Sequence, residues 1–430
     1  MWRFEGAMAG SAAGNGVGAK RIAVIGAGVV GLSSALKLAR DGHTVTLYDP
    51  EKPGSLTSFG NAALIMTAQI SPLSQPGLWK KVPQMLADPE GPLALRWRNL
   101  PGLMPWFARF LANSRWSRYE EIANGLTPLV TRSLESWKAL AGPEESARLL
   151  RQDGLLYVFR NPANLAAGLK EIEFRKRYGI KAEHIPAEEL RQMEPALAPG
   201  MAGGVLYPDS AHCVDPGELS ASLLRAFLSE GGTLRRARVH KLAPDMRDGP
   251  VTVKADDGDA AFDDVIVATG IWSPKLVKGF GVTPLLAAER GYHLMLPQPG
   301  LALKRPIGAG DDKFIVTPLD GGVRLAGTAE FATPDAAPNW RRSDFLLGLA
   351  RKILPGLEGE NPQRWIGSRP STPDALPLVG RAPLAPHVIC AFGHGPLGLT
   401  LGAVTSDIIA DIVAGKTPDA PMNALRPDRF

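Results

Sequence analysis

The chain contains 430 residues, of which 45% are hydrophobic and 21% charged, and its formal net charge is +5. This length predicts two domains, and no uninterrupted apolar run is long enough to span a bilayer. Cys213 and Cys390 are the only cysteines, and the histidines show no metal-ligand spacing, so we expect neither disulfides nor a metal site. The positive charge is too diffuse to indicate a nucleic-acid partner. Residues 1–19 lack the apolar stretch of a secretory signal, so we expect a disordered leader and a cytoplasmic location.

A nucleotide-binding pattern occupies residues 21–49, which read as a strand, a glycine turn, a helix and a second strand. Gly26 permits the tight turn, Gly28 lets the backbone approach a pyrophosphate, and Gly31 lets the helix pack on the strand. Asp49 follows the second strand, where a carboxylate accepts hydrogen bonds from ribose hydroxyls. The acid argues against an NADP 2′-phosphate but does not separate NAD from FAD.

Further strands and a capped helix are predicted after residue 210. Asp215, Pro216 and Glu218 form the pattern of an N-cap, a first-turn proline and a capping glutamate. The helix is expected to run to about Glu230 and to stop at the glycine pair behind it. Strands are predicted at 238–242, 251–254 and 265–268.

The regions between the nucleotide-binding segments differ from them in composition and predicted secondary structure. Residues 73–210 are rich in tryptophan, proline and helical patterns, and residues 290–361 are predominantly strand-like. Asp320-Gly321 is a strong hairpin signal. Strands are predicted at 154–160, 203–207, 292–296, 314–318 and 323–329.

Five stretches carry a resemblance to a known family. They are the glycine motif at 26–31, TSFGNAALI at 57–65, ATG at 268–270, GSRPSTPDALPLVG at 367–380 and GHGPLGLT at 393–400. Over about residues 20–415 the chain resembles the bacterial D-amino-acid dehydrogenase small-subunit family, within the D-amino-acid oxidase and glycine oxidase superfamily. The resemblance implies an α/β fold with a discontinuous Rossmann-like FAD-binding domain, a mixed α+β substrate domain and non-covalently bound FAD.

The resemblance also suggests domain boundaries. The predicted parts are a leader at 1–19, an FAD-binding domain at 20–72, 211–289 and 362–418, a substrate domain at 73–210 and 290–361, and a C-terminal tail at 419–430.

The resemblance implies which residues contact FAD. The backbone at Val239 meets the adenine, residues 58–63 run beside the pyrophosphate and flavin, and residues 395–400 approach the pyrimidine edge of the flavin. The helix that starts there can stabilise negative charge at this edge, although a glycine-rich turn that only admits the helix is the alternative. The expected contacts are Gly26, Gly28, Val29, Val30, Gly31, Asp49, Pro50, Ser58, Asn61, Ala62, Val239, Ala268, Thr269, Gly270, Trp272, Gly395, Leu397, Gly398, Leu399 and Thr400.

The resemblance places Arg369 on the substrate carboxylate, which its guanidinium can bind through two hydrogen bonds. The alternative for Arg369 is an interdomain ion pair. Tyr292 and His293 alternate along a strand, so only one can face the pocket. We expect His293 to contact the substrate, with a structural histidine as the alternative, and His394 to line the isoalloxazine or to shape its own loop.

The implied reaction is hydride transfer from the α-carbon of a D-amino acid to flavin N5. RGYHLML at 290–296 and SFGNAALIM at 58–66 resemble proteins acting on D-proline or cis-4-hydroxy-D-proline. A glycine- or sarcosine-type oxidase that uses oxygen is an alternative. So is a flavoprotein subunit that transfers electrons within a larger complex.

Four tryptophans, Trp79, Trp97, Trp106 and Trp116, alternate with basic residues. This composition suits a peripheral membrane contact through which a quinone could be the electron acceptor. Core and cover residues of a helical substrate domain are the interpretation that we prefer. The pattern does not indicate an oligomeric state.

Overall fold

The computed structural model describes residues 18–77, 91, 93–245 and 249–430. Most of the predicted leader and Trp79 lie outside these residues. We number strands and helices in chain order over the described part of the chain. The first sheet has six strands in the spatial order β10 (Thr233–Arg235), β2 (Thr44–Tyr48), β1 (Arg21–Ile25), β14 (Asp264–Val267), β22 (Ala385–Phe392) and β21 (Leu378–Ala382).

This sheet is parallel except at β21, which pairs antiparallel with β22. Strand β1 is buried on both faces, as its apolar run predicts. Ile22 and Val24 pack into a core cluster shared with the helices, whereas Ala23 and Ile25 pack toward a small antiparallel sheet. That small sheet consists of β11 (Val239–Pro244), β12 (Val251–Ala255) and β13 (Gly258–Phe262).

A second large sheet of ten strands brings distant parts of the chain together. Its strand β20 (Gln363–Ser371) pairs with β15 (Ala287–Leu296), which also pairs with two other strands. The remaining path runs β4 (Leu93–Leu95), β19 (Ala329–Phe331), β15, β18 (Gly322–Ala326), β17 (Phe314–Leu319), β16 (Ile307–Ala309), β6 (Leu155–Phe159), β8 (Gly203–Tyr207) and β7 (Glu183–Pro186). A short sheet joins β3 (Leu64–Ile65), β9 (Ala211–Cys213) and β5 (Leu150–Arg151).

Twelve α-helices lie in the described residues. Three 3₁₀ turns, Trp97–Asn99, Gly270–Trp272 and Gly395–Leu397, precede helices. The α-helices are α1 (Val29–Arg40), α2 (Leu100–Ala112), α3 (Trp116–Val130), α4 (Ser133–Ala141), α5 (Pro143–Leu149), α6 (Pro162–Lys176), α7 (Ala187–Met193), α8 (Pro216–Ser229), α9 (Ser273–Val277), α10 (Arg341–Arg351), α11 (Gly398–Val413) and α12 (Met422–Leu425).

The predicted hairpin and helix cap are confirmed, whereas the predicted capping box and the end of one predicted strand are wrong. The hairpin at Asp320-Gly321 joins β17 to β18, and Asp215 caps α8 by accepting a hydrogen bond from the Glu218 backbone. The Glu218 side chain does not complete the predicted capping box, because it pairs with Arg148 and Arg225 instead. The strand predicted at 323–329 ends at Ala326, and a separate strand, β19, begins at Ala329; both β18 and β19 pair with β15. The predicted domain boundaries stay a prediction.

One helical segment among the described residues, Gly395–Val413, is long and apolar enough to cross a membrane. In its most apolar window, 78% is buried inside the protein, which is typical of a core helix. Its position beneath the first sheet follows from packing against α1.

Candidate active site

A cavity of about 1620 Å³ is lined by residues from both large sheets. Pockets for drug-sized ligands usually measure about 300–1,000 Å³, so this cavity can hold a longer molecule together with a small one. The predicted cofactor residues line it, except Gly31 and Thr400. Those that do are Gly26, Gly28, Val29, Val30, Asp49, Pro50, Ser58, Asn61, Ala62, Val239, Ala268, Thr269, Gly270, Trp272, Gly395, Leu397, Gly398 and Leu399.

The glycine turn after β1 is sterically obligatory. Gly26 has φ +103°, and a Cβ there would lie 2.6 Å from the Ala268 carbonyl oxygen. A Cβ on Gly31 would lie 1.8 Å from the Gly26 carbonyl oxygen, so the first turn of α1 can approach β1 only with glycine. Gly31 therefore acts through helix packing rather than by lining the cavity.

The turn that leads into α1 is held by the side chains of Ser58 and Asp49. The Val29 backbone N–H donates to Ser58 Oγ at 2.8 Å, and Gly28 leaves room for this hydroxyl because a Cβ would lie 3.2 Å from it. Asp49 accepts from the Ala27 and Glu51 backbones at 2.7 and 2.9 Å. Burial raises the pKa of Asp49. Each carboxylate oxygen of Asp49 keeps a further lone pair with which it can accept a hydroxyl.

The segment at 58–63 is held by its own side chains and by the second sheet. Asn61 donates to the Ser58 carbonyl and accepts from the Ala63 backbone, both at 2.7 Å. Ala63 adopts φ 59°, a left-handed conformation that is unfavourable for alanine. Thr317 Oγ1 donates to the Ala62 carbonyl at 2.8 Å. Asn61 thus shapes the loop that is expected beside the flavin.

Arg324 on β18 is a further support that the motif analysis missed. Its Nη1 donates to the carbonyl oxygens of Phe59 and Asn61 at 3.1 and 2.7 Å. The residue is 4% exposed, and burial lowers its pKa to about 10. The sequence signal is a lone arginine inside the apolar strand GVRLA.

His293 is buried behind the cavity wall and does not line the cavity. Its Nδ1 donates to the Gly60 carbonyl at 2.9 Å, and its ring stacks on Trp365 at 5.0 Å. Gly60 is required here because a Cβ would lie 2.1 Å from the Trp365 ring. Burial lowers the pKa of His293 to about 3, so the imidazole is neutral at pH 7. This geometry favours the structural alternative over the expected substrate contact.

Tyr292 borders the cavity, but its hydroxyl is already engaged. It donates to Glu330 at 2.6 Å and accepts from the Asn339 backbone at 2.9 Å. Glu330 in turn pairs with Arg96 and Arg290. Tyr292 is thus part of a buried polar network on this side of β15.

Arg369 lies on the cavity wall in β20, directly opposite Glu289 of β15. Arg369 Nη1 donates to Glu289 Oε1 at 2.8 Å, and Ser371 Oγ donates to Glu289 Oε2 at 2.7 Å. Gly291 makes room for the guanidinium, since a Cβ there would lie 2.4 Å from Nη2. The arginine therefore forms an ion pair within one sheet and also faces the cavity. Glu289 is a site residue that the sequence motifs did not predict.

The glycine-rich turn before α11 closes another side of the cavity. His394 lines it, is 3% exposed and shares a hydrogen bond of 2.9 Å with Thr405 Oγ1. Burial lowers the pKa of His394 to about 4. Thr400 is turned away, because its hydroxyl accepts from the Met66 backbone and donates to the Leu64 carbonyl. Thr400 therefore ties α11 to β3.

These residues fit a bound dinucleotide such as FAD. The glycine at Gly28, the N-terminal end of α1 and the acid at Asp49 match a pyrophosphate and a ribose. In the described part of the chain, no group of three or more His, Cys, Asp or Glu residues could hold a metal ion.

Comparison with known proteins agrees with this geometry. The family described as FAD dependent oxidoreductase matches residues 21–412. The chain is 37% identical to a D-amino-acid oxidase of Bradyrhizobium diazoefficiens, with 96% of this chain and 99% of the relative covered. It is 31% identical to a D-amino acid dehydrogenase of Paramagnetospirillum magneticum, with 95% and 99% covered.

Solved structures share the fold at low identity. Glycine oxidase from Geobacillus kaustophilus superposes with a TM-score of 0.75 at 22% identity, covering 96% of this chain and 99% of that one. Iminodiacetate oxidase from Chelativorans gives a TM-score of 0.71 at 22% identity, covering 95% and 99%. The match over residues 21–412 and the 37% identity over nearly the whole length confirm the resemblance seen in the motifs. The chain therefore belongs to the FAD dependent oxidoreductase family.

Proposed function

We propose that the protein oxidises D-amino acids and that Arg369 binds the substrate carboxylate. The observation that carries this proposal is that the Arg369 guanidinium opens onto the same cavity as the glycine turn and the 58–63 loop. Relatives named D-amino-acid oxidase and D-amino acid dehydrogenase support the substrate class. A carboxylate held beside a redox cofactor has its α-carbon oriented for oxidation.

FAD, when bound, would supply the two-electron acceptor for the hydride that leaves the α-carbon. The chain's own residues bind and orient the substrate, and its amine must be neutral for an imine to form. Water then converts the imine to a 2-oxo acid and ammonia, whereas a cyclic substrate leaves as a cyclic imine. His293 does not line the cavity, and His394 is hydrogen-bonded to Thr405. We therefore propose that the orientation of the substrate, rather than a histidine acting as a base, promotes hydride transfer.

A compact, largely apolar ring is the substrate side chain that we propose, with D-proline and cis-4-hydroxy-D-proline as candidates. Aromatic side chains line the cavity close to Arg369. Trp106 donates from its indole N–H to the Ser371 carbonyl at 2.8 Å, and Phe331 pairs with Glu289 in the register of β19 with β15. Trp106 and Phe110 are stacked at 5.1 Å. Such a lining favours an apolar ring over a long charged side chain.

For the electron acceptor, we propose a quinone reached at an anionic membrane surface from the cytoplasmic side. Helix α2 and the residue that starts α3 expose apolar side chains, with Met104 at 53%, Leu111 at 50% and Trp116 at 62% exposure. Exposed Arg109 and Arg115 flank them. Trp106, in contrast, is a core residue at 4% exposure. Oxygen is the second candidate, which the relative named an oxidase favours.

Anaerobic bleaching of the bound flavin tests the substrate class. The purified holoenzyme is mixed with D- and L-amino acids, the proline and 4-hydroxyproline stereoisomers, sarcosine and glycine. We expect bleaching by D-isomers, fastest with the cyclic ones; a yellow protein that no compound bleaches would refute the proposal and favour an electron-transfer subunit. Hydrogen peroxide in stoichiometric amount would instead identify oxygen as the acceptor, and quinone reduction would support the membrane route.

Two arginines of one strand provide a matched control. Arg369→Ala should raise KM for D-amino acids at least 100-fold, because a charge-assisted bidentate contact is lost. Arg364→Ala removes an exposed arginine of β20 that pairs with Asp344 outside the cavity, and it should leave KM unchanged. Equal KM values in the two variants would contradict the role of Arg369.

A further inference from the structure

The carboxylate of Glu289 lies beside Arg369, the residue that we propose as the anchor of the substrate carboxylate. Glu289 is 3% exposed and lines the cavity, and each of its oxygens accepts one hydrogen bond, from Arg369 and Ser371. An ionised carboxylate has about four acceptor positions in total, so Glu289 retains lone pairs. An arginine has five N–H donors, so Arg369 retains donors for a carboxylate ligand.

Charged residues are few on the cavity side of the strands that surround Arg369. On β15, β19 and β20, the charged residues that line the cavity are Glu289 and Arg369. Arg290 and Glu330 pair with one another and do not line it. Without a ligand this pair is electrically neutral. A carboxylate ligand with no adjacent N–H would place its negative charge next to Glu289 without a hydrogen bond to compensate for it.

We propose that Glu289 is a specificity-determining residue, which accepts a hydrogen bond from the α-nitrogen of the substrate and rejects carboxylates that lack an N–H there. This inference rests on the proposed function, because it assumes that Arg369 holds the carboxylate. The α-nitrogen is two bonds from the carboxylate carbon, and Glu289 is hydrogen-bonded to the anchor itself. A substrate carboxylate on Arg369 therefore brings its amine close to Glu289.

The same arrangement promotes product release. A 2-oxo acid presents an oxygen lone pair where the amine had been, and a cyclic imine loses the amine N–H. Either product places an acceptor against the Glu289 carboxylate and leaves a buried polar group unpaired. Sites that are built to hydrogen-bond one group discriminate strongly against analogues that lack it.

Two planar ligands of nearly equal shape test the proposal. Pyrrole-2-carboxylate carries an N–H next to its carboxylate, and furan-2-carboxylate carries an oxygen acceptor at the same place. Neither has an oxidisable α-hydrogen, so equilibrium Kd values can be measured on the holoenzyme from changes in the flavin absorbance. We expect the wild-type protein to bind the pyrrole at least tenfold more tightly.

Glu289→Gln should reduce this preference to threefold or less, because an amide can also donate to the furan oxygen. Glu188→Gln makes the same charge change on exposed α7 and should keep the preference. If Glu289→Gln does not fold, the wild-type comparison still decides: equal Kd values for the two ligands overturn the proposal. A preference that survives in Glu289→Gln also overturns it. If neither ligand binds and no D-amino acid bleaches the flavin, the proposed function itself fails and this inference with it.

Discussion

Replacement of Gly291 by alanine tests the role of Arg369 without replacing a charged residue. A Cβ at this position would lie 2.4 Å from Arg369 Nη2 and 2.6 Å from Cζ. Ordinary van der Waals contact begins near 3.4 Å, so the guanidinium must move by about 1 Å. Since it is the end of a flexible, partly exposed side chain, it can move without unfolding the sheet. A misplacement of about 1 Å can cost roughly 100-fold in rate.

We therefore expect Gly291→Ala to lower kcat/KM for D-amino acids by about 10- to 100-fold. The free energy of unfolding should change by less than about 1 kcal/mol, because no backbone atom is displaced. Anaerobic stopped-flow reduction of the flavin measures the first quantity, and urea unfolding measures the second.

Gly348→Ala is the matched control, since a Cβ there meets no atom within 4 Å and the residue lies in α10. It should leave kcat/KM unchanged. A Gly291→Ala protein with kcat/KM within twofold of wild type would refute the reasoning, because it would mean that the position of Arg369 does not control the reaction.

Three further predictions concern the cofactor loop and the fold. Gly31→Ala should give a destabilised, nearly colourless protein, because a Cβ 1.8 Å from the Gly26 carbonyl oxygen forces backbone movement; the flavin-to-protein ratio and Tm measure this. Arg324→Met should cost about 3 kcal/mol of unfolding free energy and speed flavin dissociation, because two carbonyls of the 59–61 loop lose their donor. The folded pKa of His293, about 3, lies below the unfolded value of 6.5, so its contribution is complete above pH 6.5 and declines as the pH falls toward 3. At pH 5 the unfolded state should gain about 2 kcal/mol from this histidine, and His293→Gln should remove that part of the pH dependence in urea unfolding.

Each of these three predictions would be contradicted by a specific result. A yellow Gly31→Ala protein with wild-type Tm would mean that α1 does not need its close approach to β1. Unchanged flavin dissociation in Arg324→Met would separate the loop from cofactor binding. Equal loss of stability between pH 7 and pH 5 in wild type and His293→Gln would show that this imidazole does not remain neutral in the folded protein.

The nucleotide-binding turn, a helix cap and a hairpin could be predicted from the sequence, because short motifs specify them. The glycines at 26, 28 and 31 specify backbone conformation and close approach at the positions where they stand. Likewise, Asp215 caps its helix by accepting from the backbone N–H three residues further on, and Asp320-Gly321 closes a hairpin between adjacent strands. The contact of Gly31 with Gly26, the helix cap and the hairpin each span only a few residues, so a short motif contains both partners.

The residues around the proposed substrate site are brought together only by the tertiary structure. Glu289 and Arg369 are 80 positions apart in the chain and become partners only through the register of β15 with β20. Arg324 reaches a loop more than 260 residues away. Alternation along a strand predicts that Tyr292 and His293 face opposite sides, but it does not contain the stacked Trp365 that covers His293. Which side chain meets a ligand depends on what packs over each face of a sheet, and that contact is made by residues distant in sequence.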